Sequence, residues 1–120
     1  MAYMLLILEQ HGDRQSRGAE QGRVVYDRML RFADGLNARG VLKGADALKS
    51  DAEGVRVAVR NGKAMTLDGP FAESKEMVGG YFLLDCASME EAVSIARQCP
   101  AAEWATVEVR EIGTCYDGVE

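Results

Sequence analysis

A chain of 120 residues with 48% apolar content is long enough for one hydrophobic core and too apolar for disorder, so one domain over residues 1–120 is expected. Its net charge of -5 excludes an ordinary nucleic-acid binder, which carries a basic stripe to replace phosphate counterions. No run reaches the roughly 18 to 20 apolar residues that a membrane span needs, and the opening residues lack the basic segment of a secretory leader.

The first element is Tyr3 to Leu8, an unbroken apolar run that reads as a strand buried on both faces. Gln10 to Gly18 is polar and holds two glycines, which predicts a loop. Val25, Met29, Phe32 and Leu36 then recur at helical spacing on one face. This predicts a helix from about Ala19 to Arg39, closed by Gly40 in the left-handed conformation. Val41 to Leu48 is a less regular strand. Val55, Val57 and Val59 alternate with Arg56, Ala58 and Arg60, the pattern of a strand with one wet face. Asn61-Gly62 suits a tight hairpin turn, with Ala64 to Leu67 returning.

A loop over Asp68 to Glu76 leads to Gly79 to Cys86, a second strand apolar on both faces. Ser88 and Glu91 have capping-box spacing before the helical face of Ala92, Val93, Ile95, Ala96 and Cys99, and Pro100 ends that helix. Val107 and Val109 alternate in a final strand. The order is β-α-β-hairpin-β-α-β, an α+β, ferredoxin-like split βαβ fold with an inserted β-hairpin. In that topology the first and third main strands are central, and these are the two that are apolar throughout. Two helices cover only one sheet face, so the second face is expected to be buried by another copy of the chain in a homodimer.

Cys86, Cys99 and Cys115 form no C-x-x-C pair and have no close histidine, so neither a disulfide framework nor a zinc site is expected. No metal or cofactor is assigned. Free, mostly buried thiols fit a reducing cytoplasm.

The turn Asp68-Gly69-Pro70-Phe71 admits two readings. One is a rigid turn with Phe71 tucked into the core. The other makes Asp68 a buried acid or ligand-binding group at the mouth of a cavity between subunits. His11, the single histidine, is either an exposed loop residue or a base oriented by Asp13, with metal sharing among His11, Asp13 and Glu9 as a further arrangement. Arg56 and Arg60 share a strand face and either clamp an anionic ligand or solvate the ribbon. Trp104 either packs in the core or lines an interface or pocket.

Asp68 to Glu76 with Met77-Val78-Gly79-Gly80-Tyr81-Phe82-Leu83-Leu84-Asp85 resembles the hallmark segment of the DGPF branch of the YCII-related family. Tyr3 to Ile7, Gly40-Val41-Leu42, Pro100-Ala101-Ala102 and Val107 to Arg110 are also similar to that family, so the resemblance spans nearly the whole chain. It implies a dimeric α+β barrel of ferredoxin-like subunits. It also implies either a small-molecule-binding protein or enzyme acting on small cyclic or aromatic compounds, with Asp68 as acid or base, or a regulatory module associated with an alternative sigma factor. The family's enzymatic reading centres on a His in the first helix and an Asp before the proline that ends the second. Met29 and Cys99 stand at those positions here, and neither replaces that pair.

Overall fold

In a computed structural model the structure describes residues 1–116. Strands β1 (Ala2–Gln10), β2 (Leu42–Ala47), β5 (Glu76–Asp85) and β6 (Thr106–Glu111) form one sheet, ordered β2-β5-β1-β6. Strands β3 (Val55–Arg60) and β4 (Lys63–Asp68) form a separate two-stranded ribbon. Helices α1 (Asp13–Ala38) and α2 (Met89–Gln98) pack on one side of the sheet. All three pairings in the larger sheet are antiparallel. This is the ferredoxin-like α+β arrangement, and the two centrally placed strands, β1 and β5, are those with apolar residues on both faces.

Alternation sorts the sheet's side chains cleanly. Tyr3, Leu5, Ile7, Phe82 and Leu84 are buried and meet Leu36 of α1 and Ala92, Ile95, Ala96 and Cys99 of α2. Met4, Leu6, Leu8, Tyr81 and Leu83 point to the other face and are only half-buried.

The termini of the helices follow local chemistry. The Ser88 side chain accepts from the Glu91 amide at the start of α2, and Cys99, ahead of Pro100, is already extended. Gly40 takes a φ of 75°; its amide bonds Asn37 and the Val41 amide bonds Leu36, a Schellman closure of α1. The start of α1 differs from expectation. Residues predicted as loop are helical from Asp13, and Gly18, with φ 78° and ψ 171°, breaks that first segment from the rest. Glycine is the one residue that accepts this conformation freely. The long amphipathic portion therefore begins at Ala19, where the periodicity places it.

Two further expectations are corrected. β5 begins at Glu76 rather than Gly79, because a bulge opposite Ile7 and Leu8 absorbs Gly79 and lets pairing continue. The valine face of the ribbon is not buried within the chain: Val57 is 65% exposed, and Val55, Val59, Met65 and Leu67 are exposed as well. The physical reason is that β3 and β4 pair only with each other. Cys86 and Cys99 are buried and free, while Cys115 is free but exposed.

Because Leu84 is fully buried between α2 and the sheet, Leu84→Ala is expected to lower the unfolding free energy by about 2–5 kcal/mol. Urea denaturation checks this, and a loss below about 1 kcal/mol would place the core elsewhere.

Candidate functional site

Helix α1 has a continuous apolar face, yet only Leu36, near its C-terminal end, is buried. Toward the N-terminus the helix stands off from the sheet and leaves a cavity of about 560 Å³. Val25, Met29 and Ala33 line it from the helix, Ile7, Ala45 and Phe82 from the sheet, and Trp104 from the turn after α2. A volume of this size suits a small organic molecule. Small side chains on β2 and the bulge in β5 keep the space open from below.

One end of this apolar space is polar. Glu9 extends from the end of β1, and Arg14 comes from the short segment ahead of Gly18. Arg14 Nε donates to Glu9 Oε1 at 2.7 Å, Nη2 donates to Oε2 at 2.9 Å, and Nη1 donates to the Leu48 carbonyl at 2.8 Å. The Glu9 side chain is 13% exposed, so the pair is largely screened from water. A Cβ at Gly79 would run into the Glu9 carboxylate, which explains why the bulge residue is a glycine. A two-pronged carboxylate–guanidinium contact of this kind fixes both groups in place.

Met29, in the cavity wall, also meets Cys99 of the core, with Cys99 Sγ 4.0 Å from Met29 Sδ. Burial pushes the Cys99 thiol pKa up, so this contact is a neutral, apolar one. The geometry that would suit an acid–base pair is present, but its two members are sulfur side chains.

His11 is held by Asp51, not by Asp13. Its Nε2 lies 2.5 Å from Asp51 Oδ2, and its amide bonds the Lys75 carbonyl. Asp51 belongs to the turn after β2, forty residues away in the chain, so adjacent sequence gives no sign of this partner. The Asp51 hydrogen bond raises the His11 pKa above its usual 6.5, against some opposing desolvation, and the carbonyls of Lys75 and Ser74 add to the rise. The alternative in which His11, Asp13 and Glu9 share a metal does not match this arrangement, since Glu9 is bound to Arg14 and His11 to Asp51. Among the described residues no group of three or more His, Cys, Asp or Glu side chains is placed to hold a metal ion.

The Asp68-Gly69-Pro70-Phe71 turn divides between its two readings. Phe71 is buried beneath the ribbon, with the Arg56 guanidinium 3.8 Å from its ring centroid. Arg56 is thus engaged with Phe71 rather than forming a clamp with Arg60, whose side chain returns to the Val59 carbonyl. Gly69 packs against the Asp51 carbonyl, where no side chain fits, and its amide bonds the Gly54 carbonyl. Asp68 is exposed rather than buried, because it ends a ribbon that leaves the body of the domain. Arg56 and Phe71, with Asp51, border a second, more open recess of about 540 Å³ that meets the first at Leu48. Asp68, Gly69, Pro70 and His11 line neither space.

Fold and cavity together define a ferredoxin-like α+β domain with a pocket of small-molecule size between its first helix and its sheet. The chain matches the YCII-related domain over residues 1–114 and belongs to that family. An uncharacterized protein of Rhizobium meliloti is 45% identical over 59 residues, a match covering 48% of each chain, so the chain aligns with about half the length of that curated relative. The solved structure of 5-chloro-2-hydroxyhydroquinone dehydrochlorinase from Burkholderia phenoliruptrix, in complex with 2,5-dihydroxybenzoquinone, shares the fold. It superposes with a TM-score of 0.55 at 16% identity, covering 94% of both chains.

The His11–Asp51 contact has a definite pH signature. With the folded pKa above 6.5, its stabilisation is complete below the unfolded value and fades as pH rises through the folded one. The single imidazole is expected to titrate by NMR with a midpoint above 6.5, brought down by Asp51→Asn. A wild-type midpoint at or below 6.5 would show that the pair does not form in solution.

Proposed function

We propose that this protein binds, and acts on, small cyclic or aromatic compounds in the cavity between α1 and the sheet. The observation that carries this reading is the cavity itself, about 560 Å³, with Phe82, Met29 and Trp104 as apolar walls and the Glu9–Arg14 pair at one end. A ring compound buries its faces against those walls. Its hydroxyl or carbonyl groups then meet a fixed carboxylate and guanidinium. The YCII-related family and a fold neighbour that acts on a hydroxylated ring support the same class of ligand. Glu9 replaces Asp68 as the acidic group of this site, since Asp68 lies outside the cavity and Glu9 lines it.

We further infer that two copies pair through the open face of the sheet. Met4, Leu6, Leu8 and Leu83 on that face are only half-buried, although they come from the most apolar strands. The chain is a slab of 51 × 46 × 19 Å with a radius of gyration of 16.4 Å, against about 14 Å for a compact domain of this length. A second copy would cover the open face and account for the flat shape. We also infer that the protein belongs to the DGPF branch and is cytoplasmic; the free buried thiols of Cys86 and Cys99 accord with a reducing compartment.

Ala33→Phe fills the cavity from the helix side and tests the site. In a thermal-shift screen of phenols, lactones and cyclic acids, a wild-type hit at about 100 times its dissociation constant adds roughly 2.7 kcal/mol of stability. The Ala33→Phe protein is expected to remain folded and lose that shift. An unchanged shift would put the ligand elsewhere. Light scattering on the eluting protein is expected to give twice the chain mass at micromolar concentration, and a monomer would remove the pairing.

A further inference from the structure

The ion pairing around the cavity is incomplete, and the cation without a carboxylate partner specifies the ligand further. Three arginines stand at or beside its walls. Arg14 is neutralised by Glu9. Arg28 donates to both oxygens of Glu103, at 3.1 and 2.6 Å, and Glu103's pKa is lowered chiefly by that hydrogen bond. Arg17 lines the cavity, and among the described residues no carboxylate lies within ion-pair distance of it.

Arg17 and Arg28 also share one aromatic ring. Their guanidinium carbons lie 5.9 and 5.4 Å from the centroid of Trp104. Glu103 compensates the second cation, and among the described residues no carboxylate compensates the first. Asp46, the other acid lining the cavity, is engaged elsewhere: it pairs in register with Tyr81 and accepts the Tyr81 hydroxyl at 2.8 Å, and it is not within ion-pair distance of Arg17. An uncompensated guanidinium at the rim of an apolar space is poised for an anion, because its planar fork matches a carboxylate's two oxygens.

We propose that the cavity takes a planar ring compound bearing a carboxylate, the ring lying among Trp104, Met29 and Phe82 and the carboxylate held by Arg17. This rests on the cavity being the ligand site, and it adds the ligand's charge and the residue that reads it. Arg17 is placed for this by the break at Gly18. The short segment that carries Arg14 and Arg17 turns independently of the long portion of α1 that forms the cavity roof.

Benzoate and its uncharged amide, benzamide, separate the two claims because they share a ring and differ in charge. Trp104 is the chain's single tryptophan, so its fluorescence reports on the site without interference. Wild-type protein is expected to bind benzoate about tenfold or more tightly than benzamide, as a charge-assisted contact worth more than about 1.4 kcal/mol requires. Arg17→Gln is expected to bring benzoate down to the affinity of benzamide, and Arg17→Lys to retain part of the preference, with thermal unfolding confirming that both variants fold. Equal binding of the two compounds to wild type would overturn the carboxylate assignment and leave the cavity reading standing. A preference that survives Arg17→Gln would overturn the role of Arg17. Failure of both compounds to bind would overturn the cavity reading and this inference together.

Discussion

Two helices have to cover one face of a four-stranded sheet, and one of them covers it only at its C-terminal end. That constraint organises the molecule. Helix α2 is short and docks tightly, burying Ala92, Ile95 and Ala96 against Tyr3, Leu5 and Leu84. Helix α1 is anchored by Leu36 and closed by the bonds around Gly40. Phe32 still meets Phe82 edge-on at 5.3 Å between ring centroids, and N-terminal to it Val25 and Met29 border the cavity. Close packing is the rule inside proteins, and a cavity beneath an amphipathic helix is a costly feature in the absence of something to fill it. The same side chains that make α1 a helix, Val25 and Met29, make the cavity walls apolar.

The polar end of that cavity depends on a chain of small features. The bulge in β5 places Gly79 opposite the end of β1, and the missing side chain at Gly79 leaves room for the Glu9 carboxylate. Glu9 then fixes Arg14, and Arg14 ties the segment before Gly18 to the Leu48 carbonyl at the end of β2. Three separate stretches of chain are held by one ion pair. The corner next to it is held by a second, His11 with Asp51, which joins the end of β1 to the turn that precedes the ribbon. These contacts position the polar end of the cavity, while Met29 ties its apolar wall to Cys99 in the core.

Much of the fold was legible because periodicity and capping act locally. The apolar character of β1 and β5 on both faces placed them centrally, Asn61-Gly62 marked the hairpin, and Ser88 and Pro100 bounded α2. The site was far less legible. Asp51 meets His11 only after β2 has returned, so sequence proximity offers Asp13 rather than Asp51 as an acid partner for His11. Glu9 and Arg14 are five apart across a turn and are joined because of a bulge in another strand. The motif from Asp68 to Phe71 drew attention to Asp68, but ribbon geometry carries that carboxylate into solvent and leaves Phe71 as the buried member. The Met29 and Cys99 positions, read from spacing to Gly40 and Pro100, do meet in space.

The claim that most depends on this geometry is that a ring compound enters the space beneath the N-terminal half of α1. Methyl resonances titrated with benzoate locate it directly, since a methionine stands at each of three relevant places: Met29 in the cavity wall, Met4 on the open sheet face and Met65 on the exposed ribbon. The account predicts shifts at Met29, Val25 and Ala33 with Met4 and Met65 unmoved. Shifts confined to Met4 or Met65, with Met29 unchanged, would contradict it.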